Sequence, residues 1–241
     1  YAGCESIWVV CHGDMQPLIK HRLGDWVHDP LNAFNTFAPN PNDEQKPIQI
    51  YYVPIHPKDR DRRDCLSWSV LYGALTSYWL SATISQWVIP DKYYVAFPYG
   101  LYEPELLKEH RKQISSKKPF YVSYNNKTVK DNEYLGFTFD AEDFKLCRKM
   151  LRKNSVGEKL TWDEERLPLE KRWSARFFSL QDIFKYVNDE NYKECQVPWY
   201  HDVSSWDGLK NYLKSDNELK RPNKTIFSYH KSNLLGVDYD D

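Results

Sequence analysis

The sequence predicts an α+β fold, in which a β-rich first part is followed by helices and a closing strand. Three observations support this prediction. Segments with strand composition recur up to residue 140, segments with helical spacing cluster at 140–220, and aromatic residues make up 16% of the chain. Strands followed by helices are typical of α+β proteins, and aromatic side chains favour sheets. We expect one domain over 1–241, with a β-rich core at 1–140 and 224–237.

The predicted strands are short runs rich in β-branched and aromatic residues, bounded by turn residues. Proline steps at 29–47 predict a long irregular loop between the first two strands. The period-two alternation of large residues from Cys65 to Leu80 predicts a buried strand. Asn125 and Asn126 suit a hairpin turn. The predicted strands lie at 6–12, 47–53, 65–80, 83–88, 92–97, 120–124, 134–139 and 225–229.

Capping patterns predict where the helices begin. Two predicted helices start with a polar residue followed three positions later by an acid. These pairs are Asp140 with Asp143 and Ser179 with Asp182. Ser205 begins a third predicted helix, and its Leu209, Tyr212 and Leu213 share one face. Residues 103–114 form an earlier candidate helix.

The charge balance and the cysteine pattern exclude several classes of protein. Lys and Arg number 33 against 34 Asp and Glu, so no basic excess exists to neutralise a phosphate backbone. The five cysteines include no C-x-x-C pair, so we expect free thiols in a reducing compartment, with neither a disulfide framework nor a paired-thiolate zinc site. No signal-peptide pattern precedes the first strand, and polar residues interrupt the charge-free stretch at 65–90.

Residues that carry chemistry occur near the first strand, but their pattern is not specific. His12, Asp14 and His28 could ligate a metal or act on a small polar substrate, yet their spacing is not a zinc signature. Cys11 beside His12 is wrongly aimed for a nucleophile, because adjacent strand residues point to opposite faces. The acidic run at 163–170 lies among basic residues and suits surface ion pairs. The sequence thus predicts no catalytic residue, no metal site and no required cofactor.

Tyrosine and tryptophan are unusually frequent, with 18 and 9 copies. Both residue types are favoured in the core of a sheet, and both also dominate contacts between proteins. Neighbouring rings on one strand point to opposite faces, so a core or a second molecule must cover both faces. This arrangement favours self-assembly. The aromatic candidates for core or self-assembly roles are Tyr51, Tyr52, Tyr93, Tyr94, Trp199 and Tyr200.

Three segments resemble cypovirus polyhedrins in order and spacing: Glu5–Val10, Pro47–Pro54 and Ser228–Val237. Polyhedrins are insect-virus proteins that crystallise inside infected cells and embed virus particles, and the chain length is also similar. The resemblance implies an antiparallel β-sandwich of about seven or more strands. It also implies several helices packed around the sandwich, mostly in the C-terminal half.

The same resemblance implies the protein's partners and location. The chain would bind itself as a homotrimer within a higher lattice and would enclose virus particles. Its location would be the host-cell cytoplasm, inside viral occlusion bodies. The family has no catalytic residues. Some members hold nucleotides in their crystals, although no nucleotide-binding residue maps onto this chain. Membranes and sequence-specific nucleic acids are not expected as partners.

The composition predicts that such a lattice dissolves in alkali. Tyr and Lys both titrate near pH ~10. With 18 Tyr and 22 Lys, the net charge falls from −1 to roughly −20 or lower near pH ~10.4. Self-repulsion of that size drives molecules apart. We expect crystals that are stable at neutral pH and dissolve above about pH 10.

Two alternatives stay open on the sequence alone. A hydrolase-like enzyme acting on a small substrate would gather His12, Asp14 and His28 in a concave pocket. A carbohydrate- or peptide-binding β-sandwich module would instead expose an aromatic platform. The assembly interpretation predicts broad, Tyr-rich contacts between copies of the chain.

Overall fold

The computed structural model describes a defined set of residues in several segments. They are residues 2–4, 6–23, 27–28, 49–55, 66–83, 90–146, 180–184, 187 and 189–219. Several features predicted from the sequence lie outside these residues. They are the loop at 29–47, most of the strand at 83–88, the acidic run at 163–170, the cap at Ser179 and the strand at 225–229.

Strands and helices alternate along the described residues, which confirms that the fold mixes both. The strands are β1 (Ser6–His12), β2 (Val27–His28), β3 (Gln49–Ile55), β4 (Lys92–Val95), β5 (Gly100–Tyr102), β6 (Phe120–Ser123), β7 (Phe137–Asp140), β8 (Lys193–Gln196) and β9 (Tyr200–Asp202). The helices are α1 (Gln16–Leu23), α2 (Leu66–Thr83), α3 (Arg111–Ile114), α4 (141–146), α5 (Leu180–Phe184) and α6 (Trp206–Lys214). The strands predicted at 6–12, 47–53, 92–97, 120–124 and 134–139 correspond to β1, β3, β4, β6 and β7.

The first sheet has the order β1-β3-β2, and all of its pairings are parallel. The expectation of antiparallel strands is therefore wrong for this sheet. Part of the physical reason is α1, which lies between β1 and β2: a helical crossover returns the chain in the same direction, so these two strands run parallel on either side of β3. Local alternation of side chains predicts each strand, but it carries no information about the direction of its neighbour.

The strand predicted at 65–80 is wrong, because α2 occupies this segment. The helix carries small and apolar residues all round, and none of its side chains described at 66–78 is exposed, which is typical of a largely enclosed helix. Leu71 and Ala74 pack in the same core cluster as Phe137, while a Cβ at Gly73 would lie 2.6 Å from Val10 in β1. In a segment without charges, whose polar residues are small serines and threonines, period-two alternation arises by coincidence.

The position of α2 also corrects the expected distribution of helices. The sequence placed helices mostly after residue 140, whereas α1, α2 and α3 all precede it. Residues 103–114 do contain a short 3-10 helix and then α3, as expected. Among the described residues, no helix combines the length and apolarity that crossing a membrane requires.

The second sheet has the order β4-β7-β6-β8, and its two central strands, β6 and β7, are buried on both faces. Its β4–β7 and β7–β6 pairs are antiparallel, and β6–β8 is parallel. Phe120 and Val122 lie in one core cluster and Tyr121 lies in the other, as the alternation of a strand requires. Tyr93 and Tyr94 divide between the same two clusters. The prediction of one ring on each face of that strand is confirmed.

The turn predicted after β6 is confirmed in detail. Asn125 and Asn126 have φ values of 49° and 59°, a left-handed conformation that asparagine tolerates better than most residues. Tyr124 and Lys127 exchange two backbone hydrogen bonds of 2.9 Å across the turn. The chain then forms a short 3-10 helix before β7 pairs antiparallel with β6.

Side-chain caps fix two helix starts that the sequence predicts. Before α4, the Asp143 backbone N–H donates to Asp140 Oδ1 at 2.8 Å, and the Asp140 N–H donates to Asp143 Oδ2 at 3.4 Å. Before α6, the Gly208 N–H donates to Ser205 Oγ at 3.1 Å. Each bond satisfies a backbone donor that the first helical turn leaves without a partner.

Replacing Asp140 with alanine should lower the free energy of unfolding by about 1 kcal/mol, because α4 loses its cap. Urea denaturation followed by circular dichroism measures this change. The matched control is Asp140→Asn, which keeps a side-chain oxygen acceptor and should retain most of the stability. Equal midpoints for the alanine and asparagine variants would contradict the capping role.

Candidate functional site

A short helix packed on the β5–β9 ribbon carries the most exposed aromatic residue described in the chain. Asp202 ends β9 and accepts a hydrogen bond from the Ser204 N–H at 2.8 Å, and Ser205 then caps α6. A Cβ at Gly208 would collide with the Asp202 carbonyl oxygen, so glycine allows α6 to lie close to the end of β9. The local sequence therefore sets the position and the rotation of this helix.

Three rings attach α6 to the ribbon. Tyr212 stacks on Trp199 with a centroid distance of 6.4 Å and meets the His201 ring edge-on at 5.4 Å. The His201 Nε2 atom lies 2.9 Å from the Asn217 amide nitrogen, so the segment after α6 also contacts β9. Aromatic pairs of this kind each add about 0.5–1.5 kcal/mol beyond burial. The inner face of α6 is thus fixed.

The outer face of α6 is apolar and open. Trp206 is 79% exposed and Leu213 is 71% exposed. Seven residues separate them, so they lie about 20° apart around the helix and form one stripe. Single exposed apolar residues are common, whereas two large ones on the same stripe of an ordered helix are a candidate interaction site. We call Trp206 and Leu213, together with the Trp199, His201 and Tyr212 rings that hold α6 on the ribbon, the aromatic surface.

Two of the tyrosine candidates lie inside the first sheet. Tyr51 stacks on Trp8 with a centroid distance of 4.4 Å, and burial raises the pKa of its hydroxyl to about 12. Tyr52 is buried, and its hydroxyl donates to the His12 carbonyl oxygen at 3.3 Å. Both side chains act as core within a single copy of the chain.

Three further candidates are partly buried residues that pack against the core of the second sheet. Tyr93 stacks on Phe139 at 5.1 Å, and burial raises its pKa to about 12. The Tyr94 hydroxyl lies 3.1 Å from the Tyr102 hydroxyl, and burial raises the pKa of both groups. The Tyr134 N–H donates to the Tyr200 hydroxyl at 2.9 Å. Of the six aromatic candidates, Trp199 alone belongs to the aromatic surface.

The histidines near β1 are not brought together. His12 lies opposite Ile55 in the first sheet, whereas His28 lies opposite Tyr51. The two histidines are two strand spacings apart across the sheet and four residues apart along the strands, so their Cα atoms lie about 16 Å apart. Among the described residues, no three potential metal ligands form a group. Burial also raises the pKa of Cys11 next to His12, which disfavours the reactive thiolate.

No protein-family model and no curated protein sequence matches this chain. The candidate surface is therefore defined by its geometry alone. The sequence predicted α6 from Ser205 and placed Leu209, Tyr212 and Leu213 on one face, but it missed Trp206. Extending the helical pattern back by one turn would have joined Trp206 to Leu213, since residues seven apart share a face.

Proposed function

We propose that this chain is a structural protein that self-associates through exposed aromatic and apolar surface. The observation that carries the proposal is the exposure of Trp206 and Leu213 on an ordered helix. Covering such side chains contributes about 1.5–3 kcal/mol each, which favours association. The net charge of −1 adds little long-range repulsion between copies at neutral pH.

The polyhedrin resemblance supports a specific form of this function, a matrix protein of viral occlusion bodies. Two of the three resembling segments overlap β1 and β3, which are paired neighbours in the first sheet. Their pairing is parallel, so the antiparallel direction that the resemblance implies is not proposed for this sheet. The proposal includes the finer features that the resemblance implies. These are a sandwich of seven or more strands, a homotrimer, a crystal lattice in the host-cell cytoplasm that protects virus particles, and dissolution in alkali.

Expression of the full chain in insect cells tests the proposal. We expect microcrystals visible by electron microscopy, and particles that sediment rapidly at neutral pH and clear in alkali. Analytical ultracentrifugation of redissolved protein, returned to neutral pH at increasing concentration, should show reassembly. A single soluble copy at every concentration, with no particles in cells, would overturn the proposal.

Replacing Trp206 and Leu213 together with serine should raise the concentration needed for assembly by about tenfold or more, because two apolar side chains no longer become buried between copies. Light scattering against protein concentration measures the onset. The matched control is Leu18→Ser, which removes a 61% exposed leucine from α1. Equal onsets for the double variant and the control would contradict a role for the aromatic surface.

Carbohydrate binding is a second candidate, favoured by the Trp206 indole, which is 79% exposed on α6. A flat aromatic ring offers an apolar face to a sugar ring. A glycan array probed with soluble protein, compared with the Trp206→Ser variant, tests this function. Binding that depends on Trp206, in a protein that stays a single copy, would favour carbohydrate binding over self-association.

A further inference from the structure

The charges on α6 are arranged along the exposed stripe with opposite signs at its two ends. Asp207 lies in the first turn and Lys214 in the last turn. Seven residues separate them, so both lie on the same flank of the Trp206–Leu213 stripe. Lys210 lies near the middle of the stripe, and its amino group is 3.4 Å from Asp207 Oδ1.

We propose that α6 packs antiparallel against α6 of a second copy, across a two-fold axis near Lys210. This inference rests on the proposed self-association and names the surface that carries it. In an antiparallel pair of identical helices, residues on the same flank meet. Asp207 then lies beside Lys214 of the second copy, twice by symmetry. The Trp206 indole covers Leu213 of the second copy, so both exposed side chains become buried.

Charge complementarity selects this orientation over the parallel one. In a parallel pair, the flank that carries Asp207 and Lys214 would lie on opposite sides of the contact in the two copies, so no Asp207–Lys214 pair would form between them. In the antiparallel pair the two Lys210 side chains meet near the axis, and each lies 3.4 Å from Asp207 of its own helix, which offsets their repulsion. The helix dipoles also favour the antiparallel pair, because the positive N-terminal end of one helix then lies beside the negative C-terminal end of the other.

The size of α6 determines how strong the contact is. A nine-residue helix is about 13.5 Å long and offers much less than the roughly 800 Å² per partner of a standard stable interface. The α6 pair is therefore a weak contact by itself. It becomes effective when other contacts between the same copies act with it, as in a lattice. Its detection requires trapping the pair covalently.

A cysteine placed near the two-fold axis provides the trap. In Lys210→Cys, the two new thiols face each other, and mild oxidation should give about tenfold more cross-linked dimer than in the matched variant Asn211→Cys. Asn211 is exposed as well, but it points about 100° away around the helix. The unmodified chain, oxidised in parallel, sets the background from the native cysteines. Equal yields from the two variants would overturn the antiparallel pair.

Charge reversal tests the orientation independently. The variants are made in the Lys210→Cys chain, which is kept reduced, and a bismaleimide links the paired copies. In this background, Asp207→Lys alone or Lys214→Glu alone should lower the yield of cross-linked dimer several-fold. The double reversal should restore it. Each reversal places an unfavourable charge at one end of the helix dipole, so within one helix the two penalties add. Only a charge pair between copies predicts that the double reversal restores the dimer yield. Circular dichroism confirms that each variant is folded.

The outcomes separate this inference from the proposed function. If the unmodified chain assembles but the double reversal does not recover, the antiparallel pair is wrong and self-association stands. If the unmodified chain remains a single copy at every concentration, both are wrong. Restoration of the dimer by the double reversal, together with selective trapping at position 210, supports both.

Discussion

Replacing Phe137 with alanine should lower the free energy of unfolding by about 3–5 kcal/mol. Phe137 is fully buried in β7, at the centre of the second sheet. Its ring lies 6.2 Å from Phe97, 6.0 Å from Phe139 and 5.1 Å from Phe184, measured between centroids. Truncation removes buried apolar surface and leaves a cavity that rigid neighbouring rings fill poorly.

Urea denaturation followed by tryptophan fluorescence measures this loss. Phe137→Leu keeps most of the volume and should lose clearly less stability than alanine. The surface control is Tyr99→Ala, at a residue that is 44% exposed. A change of less than about 1 kcal/mol for Phe137→Ala would mean that the core described around β7 is wrong. Since domains of this kind are stable by about 5–15 kcal/mol, the expected loss is large enough to reduce assembly as well.

The strands that the sequence predicts are those whose residues identify them locally. β1, β3, β6 and β7 are short runs of β-branched and aromatic residues with clear ends, so composition suffices. β8 was not predicted, because its sequence is mainly polar and only Cys195 is buried. This strand depends on its parallel pairing with β6, a contact between residues about seventy positions apart. Local sequence does not encode such a pairing.

The fold also depends on contacts that no periodicity shows. The register of β1 against β3 joins residues 43 positions apart, as with Ser6 and Gln49. α2 is helical because it is enclosed between this sheet and the Phe137 core, where an all-round apolar helix satisfies its own backbone. The sequence showed that the segment is buried, and the tertiary environment decided that it is a helix.

The sequence predicted only part of the candidate surface. Ser205 predicted the start of α6, and the spacing of Leu209, Tyr212 and Leu213 predicted one shared apolar face. In the structure Tyr212 packs on Trp199, whereas Leu213 is 71% exposed. The close approach of Gly208 to the Asp202 carbonyl sets the rotation of the helix, and this rotation exposes Trp206. Tyr51 and Tyr94, by contrast, looked equally suited to contacts between copies and proved to be interior. Ring frequency does not distinguish core from interface, whereas the packing of each ring does.

Raising the pH from about 10 to about 12 should unfold the protein cooperatively, because buried tyrosine hydroxyls hold their protons more strongly in the fold than in the unfolded chain. Burial raises the pKa of Tyr51 and of Tyr93 to about 12. Burial also raises the pKa values of Tyr94, Tyr102, Tyr121 and Tyr200. Buried tyrosines therefore contribute little to the surface charge that would disperse an intact lattice near pH ~10.4.

The sign of the effect follows from linkage. A group whose pKa is raised in the fold stabilises it fully below the unfolded pKa, and this stability is lost as the pH rises through the folded pKa. Tyr51, whose pKa rises from about 10 to about 12, is one of six tyrosines that act in this direction. Lys92 acts in the opposite direction, because burial lowers its pKa. One lysine offsets only part of six tyrosines, so the fold loses stability as the pH rises through the raised tyrosine pKa values.

Tyrosinate absorbance and circular dichroism, recorded together during a pH titration, test this account. We expect both signals to change in one steep transition, with an assembled lattice clearing in the same step. Tyr93→Phe is the sharpest variant, since the Tyr93 hydroxyl is buried without a hydrogen-bond partner among the described residues. Tyr93→Phe should shift the transition to higher pH, and the number of protons released in the transition should fall by about one. Tyr99→Phe, at an exposed residue, should change neither quantity. A native spectrum that persists while every tyrosine ionises smoothly near pH ~10 would show that dissolution needs only surface charge.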